Sequence, residues 1–144
     1  MQVEEHKNAE APVIGEERFI PDAMRPLLAM HAAVCNALAN QHRLAIMYCL
    51  SQGEMSVGAL ARALDISVHL ASQHLRVLKT QMLVQSRREA QTIYYALANR
   101  KFVEACQLMC QALIEQHQAA GQTLLAADLL ERLISGVVPA DTTS

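Results

Sequence analysis

The spacing of apolar residues changes from a helical period to an alternating one near residue 82, and this change restricts the chain to few folds. Residues 56–81 contain two short segments with apolar residues at helical spacing, separated by a break at residues 65–67. Residues 82–87 and 91–97 alternate as strands do, and residues 88–90 link them. Two helices with a tight break, followed by a β-hairpin, are typical of a winged helix-turn-helix.

Further helices are predicted on both sides of this pattern. The second helix of the helix-turn-helix should run from about Val68 to Gln81, and a long helix from Arg100 to about His117. Gly53 is placed to end the helix before the pattern. Four polar residues are expected to cap helix N-termini: Asp22, Asn40, Ser56 and Ser67.

The composition favours one mainly helical domain with a β-hairpin wing. Of 144 residues, 52% are hydrophobic and only 3% are aromatic, which disfavours β-sandwiches and single-strand nucleic-acid platforms. We expect a flexible acidic tail over residues 1–20, the winged domain over 21–119, an amphipathic helix over 120–136 and a disordered tail over 137–144. With no apolar run long enough for a membrane and no signal-peptide pattern, the predicted location is the cytoplasm, where cysteines are thiols.

The basic residues are concentrated around the helix-turn-helix. The whole chain has a net charge of −2, whereas residues 67–101 contain six basic residues and one acidic residue. Such a block suits an anionic partner, although a solvated helix face or a protein-binding winged helix would also tolerate it. On the second helix, Gln73 can pair with adenine and Arg76 with guanine in the major groove of double-stranded DNA.

The other polar side chains of the helix and the wing suit the DNA backbone. Ser67, Ser72, His74 and Lys79 are placed for phosphates, and Arg87 and Arg88, predicted at the wing tip, for an adjacent backbone or minor groove. The candidate DNA-binding residues are Ser67, His69, Ser72, Gln73, His74, Arg76, Lys79, Arg87, Arg88, Gln91 and Thr92.

Three segments carry a resemblance to a known family: residues 39–44 (ANQHRL), 72–75 (SQHL) and 91–95 (QTIYY). They resemble the ArsR/SmtB family of small bacterial repressors, and the likeness extends over residues 27–115. The resemblance implies a winged fold of five helices and a homodimer whose first and last helices form the interface. The apolar stripes on residues 24–37 and 102–113 suit that interface. It also implies repression at operator DNA, with the recognition helices of the dimer in successive major grooves.

The two metal sites that are familiar in this family are not expected here. The stretch from Ser56 to Leu64 contains no cysteine or histidine. At the positions of the zinc site in the last helix, only Glu115 is a ligand type, and zinc needs three or four ligands. We therefore expect no metal and no cofactor. No nucleophile–base pair or phosphate loop is visible either, so an enzyme is not expected.

Residues 53–60 (GEMSVGAL) and 88–95 (REAQTIYY) resemble a branch of the family that senses persulfides or oxidants with one thiol in the second helix and one in the last. Cys106 and Cys110 lie on one helix face, Cys35 lies in the first helix and Cys49 in the second. Arg100 and Lys101, one turn before Cys106, are expected to favour its thiolate. The branch's usual cysteine in the second helix falls at Tyr48, and its usual cysteine in the last helix near Ile114.

Cysteine chemistry that releases the operator is the expected switch, with a link from Cys49 to Cys106 or Cys110. Three alternatives stay open. The thiols could bind a metalloid such as As(III), with Cys35 of the partner subunit as a third ligand. The protein could regulate without a ligand, or the cysteines could only be packed as small hydrophobes.

Overall fold

The computed structural model describes residues 20–121. The predicted tail over residues 1–20, the helix over 120–136 and the segment 137–144 fall almost entirely outside these residues. The described part has five α-helices and three short strands, after a 3-10 turn at Asp22–Met24. In chain order they are α1 Arg25–Leu38, α2 Gln41–Ser51, β1 Met55–Ser56, α3 Val57–Leu64, α4 Val68–Thr80, β2 Val84–Glu89, β3 Thr92–Leu97 and α5 Arg100–Ala119.

Polar side chains cap three helices as the sequence predicts. The Asn40 side chain accepts hydrogen bonds from the amides of His42 and Arg43 at 2.9 and 3.2 Å, at the start of α2. Ser56 and Ser67 each accept one from the third residue of the helix that follows, at 3.1 and 3.0 Å. These bonds fix the starts of α2, α3 and α4, because the first amides of a helix have no partner within it.

The prediction that Asp22 caps the first helix is wrong. Asp22 lies in the 3-10 turn, and α1 begins three residues later at Arg25. The Asp22 carboxylate accepts a hydrogen bond of 2.8 Å from Arg25 Nε instead. Pro26 occupies the first turn of α1, where the missing amide hydrogen costs no intrahelical bond.

The helix-turn-helix consists of α3, α4 and the break between them. Asp65 ends α3 in the left-handed conformation, with φ 54° and ψ 47°, and its amide donates to carbonyls of the last turn. Aspartate tolerates this conformation better than most residues do. The chain then turns at Ile66 and enters α4 at Ser67, as predicted.

The wing begins and turns two residues later than the sequence predicts. The amides of Met82 and Leu83 donate to carbonyls of the last turn of α4, and Met82 has a φ of 56°. These residues therefore belong to a turn, and β2 starts at Val84. The hairpin link is Ala90–Gln91, because Glu89 still pairs with Thr92 in the sheet.

A third strand, β1, was not expected. Its two residues pair antiparallel with β3, Met55 with Tyr95 and Ser56 with Tyr94. The strand order is β1-β3-β2, so the hairpin is joined to the residues that lead directly into α3.

The hydrophobic core lies between α2, α3, α4 and the base of the wing. It is built from side chains at 0–5% exposure, including Ile46, Met47, Leu60, Leu75 and Leu78. One face of α1, through Val34 and Leu38, and one face of α5, through Phe102, pack against the edge of this core. No helix among residues 20–121 is both long and apolar enough to cross a membrane.

Candidate nucleic-acid interface and thiol groove

One face of α4 is anchored in the core and the opposite face is exposed. Ala71, Leu75 and Leu78 are buried, while His69, Gln73 and Arg76 are exposed on the other side. The buried residues recur at helical spacing, so they fix the rotation of α4 about its axis. The structure thus brings most of the predicted base-reading and phosphate-binding side chains of this helix to one open surface.

The exposed side chains of α4 are ordered by local contacts. Gln73 Nε2 lies 3.1 Å from His69 Nε2, one turn earlier on the helix. Lys79 Nζ donates a hydrogen bond of 2.6 Å to Ser86 Oγ, so the lysine extends toward β2 of the wing. Ser67 is exposed and Ser72 is half-buried beside these residues.

The prediction that His74 contacts phosphate is wrong. His74 is only 9% exposed, on the face of α4 that packs on the core, and its ring lies 5.4 Å from the His42 ring of α2. Its Nε2 is buried without a hydrogen-bond partner among residues 20–121. Burial lowers the pKa of His74, and the charges of Arg43 and His42 lower it further. The imidazole is therefore held neutral inside the domain.

Arg87 does not lie at the wing tip. It pairs with Tyr94, two rungs from the turn, and its guanidinium lies 4.6 Å from the centre of the Tyr94 ring. It donates hydrogen bonds of 2.6 to 3.0 Å to Glu54, just before β1, and one of 2.9 Å to Glu89. These bonds raise the pKa of Arg87, and the Arg87 guanidinium lowers the pKa of the Glu54 carboxyl. Arg87 thus fastens the wing to the α2–β1 loop.

The tip of the wing presents other residues. Arg88, Ala90 and Gln91 are exposed there, and Thr92 is half-buried. Arg88 makes no ion pair with any residue of the described part of the chain. Of the two wing arginines, Arg88 is therefore the one with a guanidinium free for an external anion.

A groove of 470 Å³ separates α1 from α5, and apolar side chains dominate it. Leu27, Met30 and Met109 line it and are 60 to 66% exposed. Cys35 of α1 and Cys106 of α5 lie in the same groove. The predicted apolar stripes of the first and last helices therefore meet along one open surface.

The Cys106 thiol in this groove is held in its protonated form. Burial raises the pKa of the Cys106 thiol, and the neighbouring Cys110 and Cys35 raise it further. The expectation that Arg100 and Lys101 favour the thiolate of Cys106 is wrong. Arg100 Nη1 instead donates a hydrogen bond of 3.0 Å to the Ser51 carbonyl at the end of α2.

Cys110 is engaged by a tyrosine. The Tyr48 hydroxyl lies 3.2 Å from Cys110 Sγ, and burial together with this contact raises the pKa of Tyr48. The sequence did not identify Tyr48 as a partner of a thiol. Its coincidence with the α2 cysteine position of the thiol-sensing branch was the available signal.

Cys49 stands apart from the other three cysteines. It packs against the hydrophobic core, and burial is the only cause that raises its pKa. Cys106, by contrast, has a pKa that both Cys110 and Cys35 raise in addition to burial. Within residues 20–121, no three histidine, cysteine or acidic side chains are arranged to hold a metal ion.

Known proteins are similar to this chain in sequence and in fold. Residues 40–86 match the family described as "Bacterial regulatory protein, arsR family". The transcriptional activator HlyU of Vibrio cholerae is 38% identical over 88 residues, which cover 58% of this chain and 82% of HlyU. The nodulation protein NolR of Rhizobium meliloti is 49% identical over 65 residues, 45% of this chain and 53% of NolR.

The fold agrees with a solved structure at similar identity. The homodimeric winged helix-turn-helix DNA-binding domain of Mb0332 from Mycobacterium bovis superposes with a TM-score of 0.58 at 35% identity. The superposition covers 71% of this chain and 94% of that domain.

Proposed function

Because the chain belongs to the ArsR family of bacterial transcriptional regulators and is not an enzyme, we propose that it is a homodimeric repressor of double-stranded operator DNA, released by cysteine chemistry. The observation that carries DNA binding is the exposed polar face of α4, with His69, Gln73 and Arg76 opposite its buried side. An α-helix fits the major groove, and side chains on its exposed face can read base edges.

The proposed contacts follow from the exposed residues. Gln73 pairs with adenine, and His69 supports its amide from one turn before. Ser67, Ser72 and Lys79 contact phosphates beside the groove. Arg88, Gln91 and Thr92 of the wing contact the adjacent backbone, whereas Arg87 keeps the wing in position through Glu54.

The proposed dimer uses the groove between α1 and α5. Leu27, Met30, Met109 and Leu113 are between 48 and 66% exposed, which is unfavourable for a lone chain in water. A second copy that packs its own α1 and α5 against these residues would bury them. The homodimeric state of Mb0332, at 35% identity, supports this arrangement.

The proposed switch acts at Cys35, Cys106 and Cys110. A disulfide between Cys35 and Cys106 would join α1 to α5 inside the dimer surface and change how the two recognition helices are spaced. A small persulfide would accept the two electrons and two protons of the thiols, and would leave as a thiol and hydrogen sulfide. Cys49 is a weaker candidate than the sequence suggests, because it packs against the core.

A metalloid is the second candidate inducer. Within residues 20–121 of one chain, no three cysteine, histidine or acidic side chains are arranged to hold an ion. Cys106 and Cys110 would therefore need Cys35 of the partner subunit as the third sulfur ligand for a soft ion such as As(III). All three thiols would have to lose their protons on binding.

A gel-shift experiment with DNA from upstream of the protein's own gene tests the proposal. The reduced protein is expected to shift this DNA, and a persulfide or peroxide should release it until a reductant is added. Arsenite in place of the oxidant tests the metalloid. No shift by the reduced protein would contradict the proposed repressor, and a shift that survives all these treatments would contradict the thiol switch. A Cys106→Ser protein should still bind and should no longer respond.

A further inference from the structure

A second cleft, of 380 Å³, lies against α4 on the side of α1. Its walls come from α1, the start of α2 and the last turns of α4. Its polar lining residues are Asn36, Arg43, Arg76, Thr80 and Gln81. The wing contacts α4 through β2, as shown by the bond from Lys79 to Ser86, so α4 has a polar flank toward the wing and another toward this cleft.

The cleft is positively charged. Two of its lining residues are arginines and none carries a carboxylate. Two guanidinium groups that border one open cleft repel each other, and an anion between them would relieve the repulsion. Side-chain amides of Asn36 and Gln81 add neutral hydrogen-bond donors to the same lining.

The two arginine side chains of the cleft differ in their contacts with the rest of the domain. Arg43 Nε donates to the Ala37 carbonyl near the end of α1, which holds this guanidinium at the cleft. Its two terminal nitrogens make no hydrogen bond or ion pair with residues 20–121. The Arg76 side chain makes no hydrogen bond or ion pair with any residue between 20 and 121. The fixed guanidinium of Arg43 and the unbound guanidinium of Arg76 can both donate hydrogen bonds to one phosphate group.

We infer that this cleft binds a phosphodiester of the DNA backbone and that Arg76 contacts phosphate rather than guanine. The inference rests on the proposed binding of DNA by α4. With α4 in the major groove, one backbone strand passes beside Lys79 and the wing, and the other passes over the mouth of the cleft. Arg43 and Asn36 are therefore proposed DNA contacts in addition to those predicted from the sequence, which all lie at α4 or in the wing.

Asn36→Asp tests the cleft directly, because it places a carboxylate among the lining residues and leaves the bond from Arg43 to Ala37 intact. Ala29→Asp is the matched control: it adds the same charge to an exposed position on the same face of α1, two turns earlier and outside the cleft. Circular dichroism and thermal unfolding should show that both variants fold. Affinity is then measured against operator DNA and against an unrelated duplex over a range of salt concentrations.

Asn36→Asp is expected to weaken binding to both duplexes by the same factor and to reduce the slope of log affinity against log salt by about 0.9, the value for one phosphate contact. Ala29→Asp should leave the slope unchanged. Arg76→Ala should likewise weaken both duplexes equally, so that the ratio of their affinities is unchanged.

Three results would overturn the inference. One is a salt slope for Asn36→Asp equal to that for Ala29→Asp. Another is a loss of operator preference in Arg76→Ala, which would assign Arg76 to a base. The third is saturable binding of inorganic phosphate to the DNA-free protein, measured by calorimetry, which would make the cleft a site for a small anion. If the unaltered protein binds neither duplex, the proposed function fails before the cleft is tested.

Discussion

The Tyr48 hydroxyl and the Cys110 thiol lie 3.2 Å apart, and this contact joins α2 to α5. A phenol cannot form a disulfide, so at this position α2 can position an α5 thiol but cannot cross-link to it. Burial keeps the phenol protonated, because it raises a pKa that is already 10.0 in the free side chain. We expect this contact to shield Cys110 from reagents, since the protonated phenol does not compete with the thiol as a nucleophile.

Tyr48→Phe should remove the hydrogen bond that engages the Cys110 thiol. Removing one hydrogen bond of this kind costs about 0.5–1.5 kcal/mol in the free energy of unfolding, and the sulfur becomes more available to reagents. We expect iodoacetamide to alkylate Cys110 faster in this variant than in the unaltered protein, and mass spectrometry measures the rate. Tyr95→Phe is the control, since it removes the hydroxyl of a residue of β3 that packs against the core. Equal alkylation rates in both variants would show that Tyr48 does not shield the thiol.

Cys106 should react as a thiol with a raised pKa. Only the thiolate is nucleophilic, so the folded protein should alkylate more slowly at neutral pH than the same protein unfolded in urea. The rate for the folded protein should keep rising at pH values where an ordinary thiol of pKa 9.0 levels off. A Cys110→Ser protein isolates the signal of Cys106 on α5. Coincident pH profiles for folded and unfolded protein would contradict the burial of this thiol.

Gln73→Ala should relax base preference. A bidentate pair with adenine contributes about 1–3 kcal/mol of discrimination, which the alanine variant loses at one base position. A panel of operators altered one base pair at a time measures this in fluorescence anisotropy. Arg88→Ala is the comparison, because removal of a phosphate-binding side chain from the wing should weaken all the sequences alike. An unchanged preference in Gln73→Ala would remove Gln73 from the reading surface.

Met109→Asp should convert the dimer into monomers. The side chain is 66% exposed in the groove, so the single chain accommodates a carboxylate there, whereas a dimer seam would bury it. Light scattering at micromolar concentration gives the mass. Met82→Asp is the control, because Met82 is 72% exposed in the turn after α4. A monomeric mass for the unaltered protein would contradict the dimer itself.

His74 should make the domain less stable at acidic pH. Its pKa is lowered in the folded state, so below the ordinary value of 6.5 the unfolded chain binds more protons than the folded chain. The stability that His74 contributes above pH 6.5 is therefore lost as the pH falls toward its folded pKa. In urea unfolding, His74→Leu should lose less stability than the unaltered protein between neutral and acidic pH. His69→Leu, which removes an exposed imidazole from the same helix, should keep the original dependence.

Much of the fold could be predicted because its signals are local. Asn40, Ser56 and Ser67 cap helices through amides two or three residues away, so their roles can be read from neighbouring positions. The rotation of α4 was also present in the sequence: His74 shares a stripe with Ala71 and Leu78, and this spacing should have placed it inside.

The remaining features depend on residues that are distant in the chain. β1 has only two residues and exists because β3 passes beside it, so no alternation could reveal it. Arg87 is held by Glu54, which lies 33 residues earlier in the chain. It is therefore directed away from the wing tip, where Arg88 and Gln91 are exposed instead. The polar cleft likewise combines α1, α2 and α4, which only the tertiary structure brings together.

The strand order β1-β3-β2 ties the wing to the helix-turn-helix through backbone hydrogen bonds. Because β3 lies in the middle and β1 leads directly into α3, the wing and the helix-turn-helix are parts of one hydrogen-bonded frame. The distance from the wing to α4 is then a fixed dimension of the protein, and each half of a DNA site must match it. In the proposed dimer, the seam between two such units is the part left to adjust, so the spacing of the two recognition helices is the variable that an inducer can change.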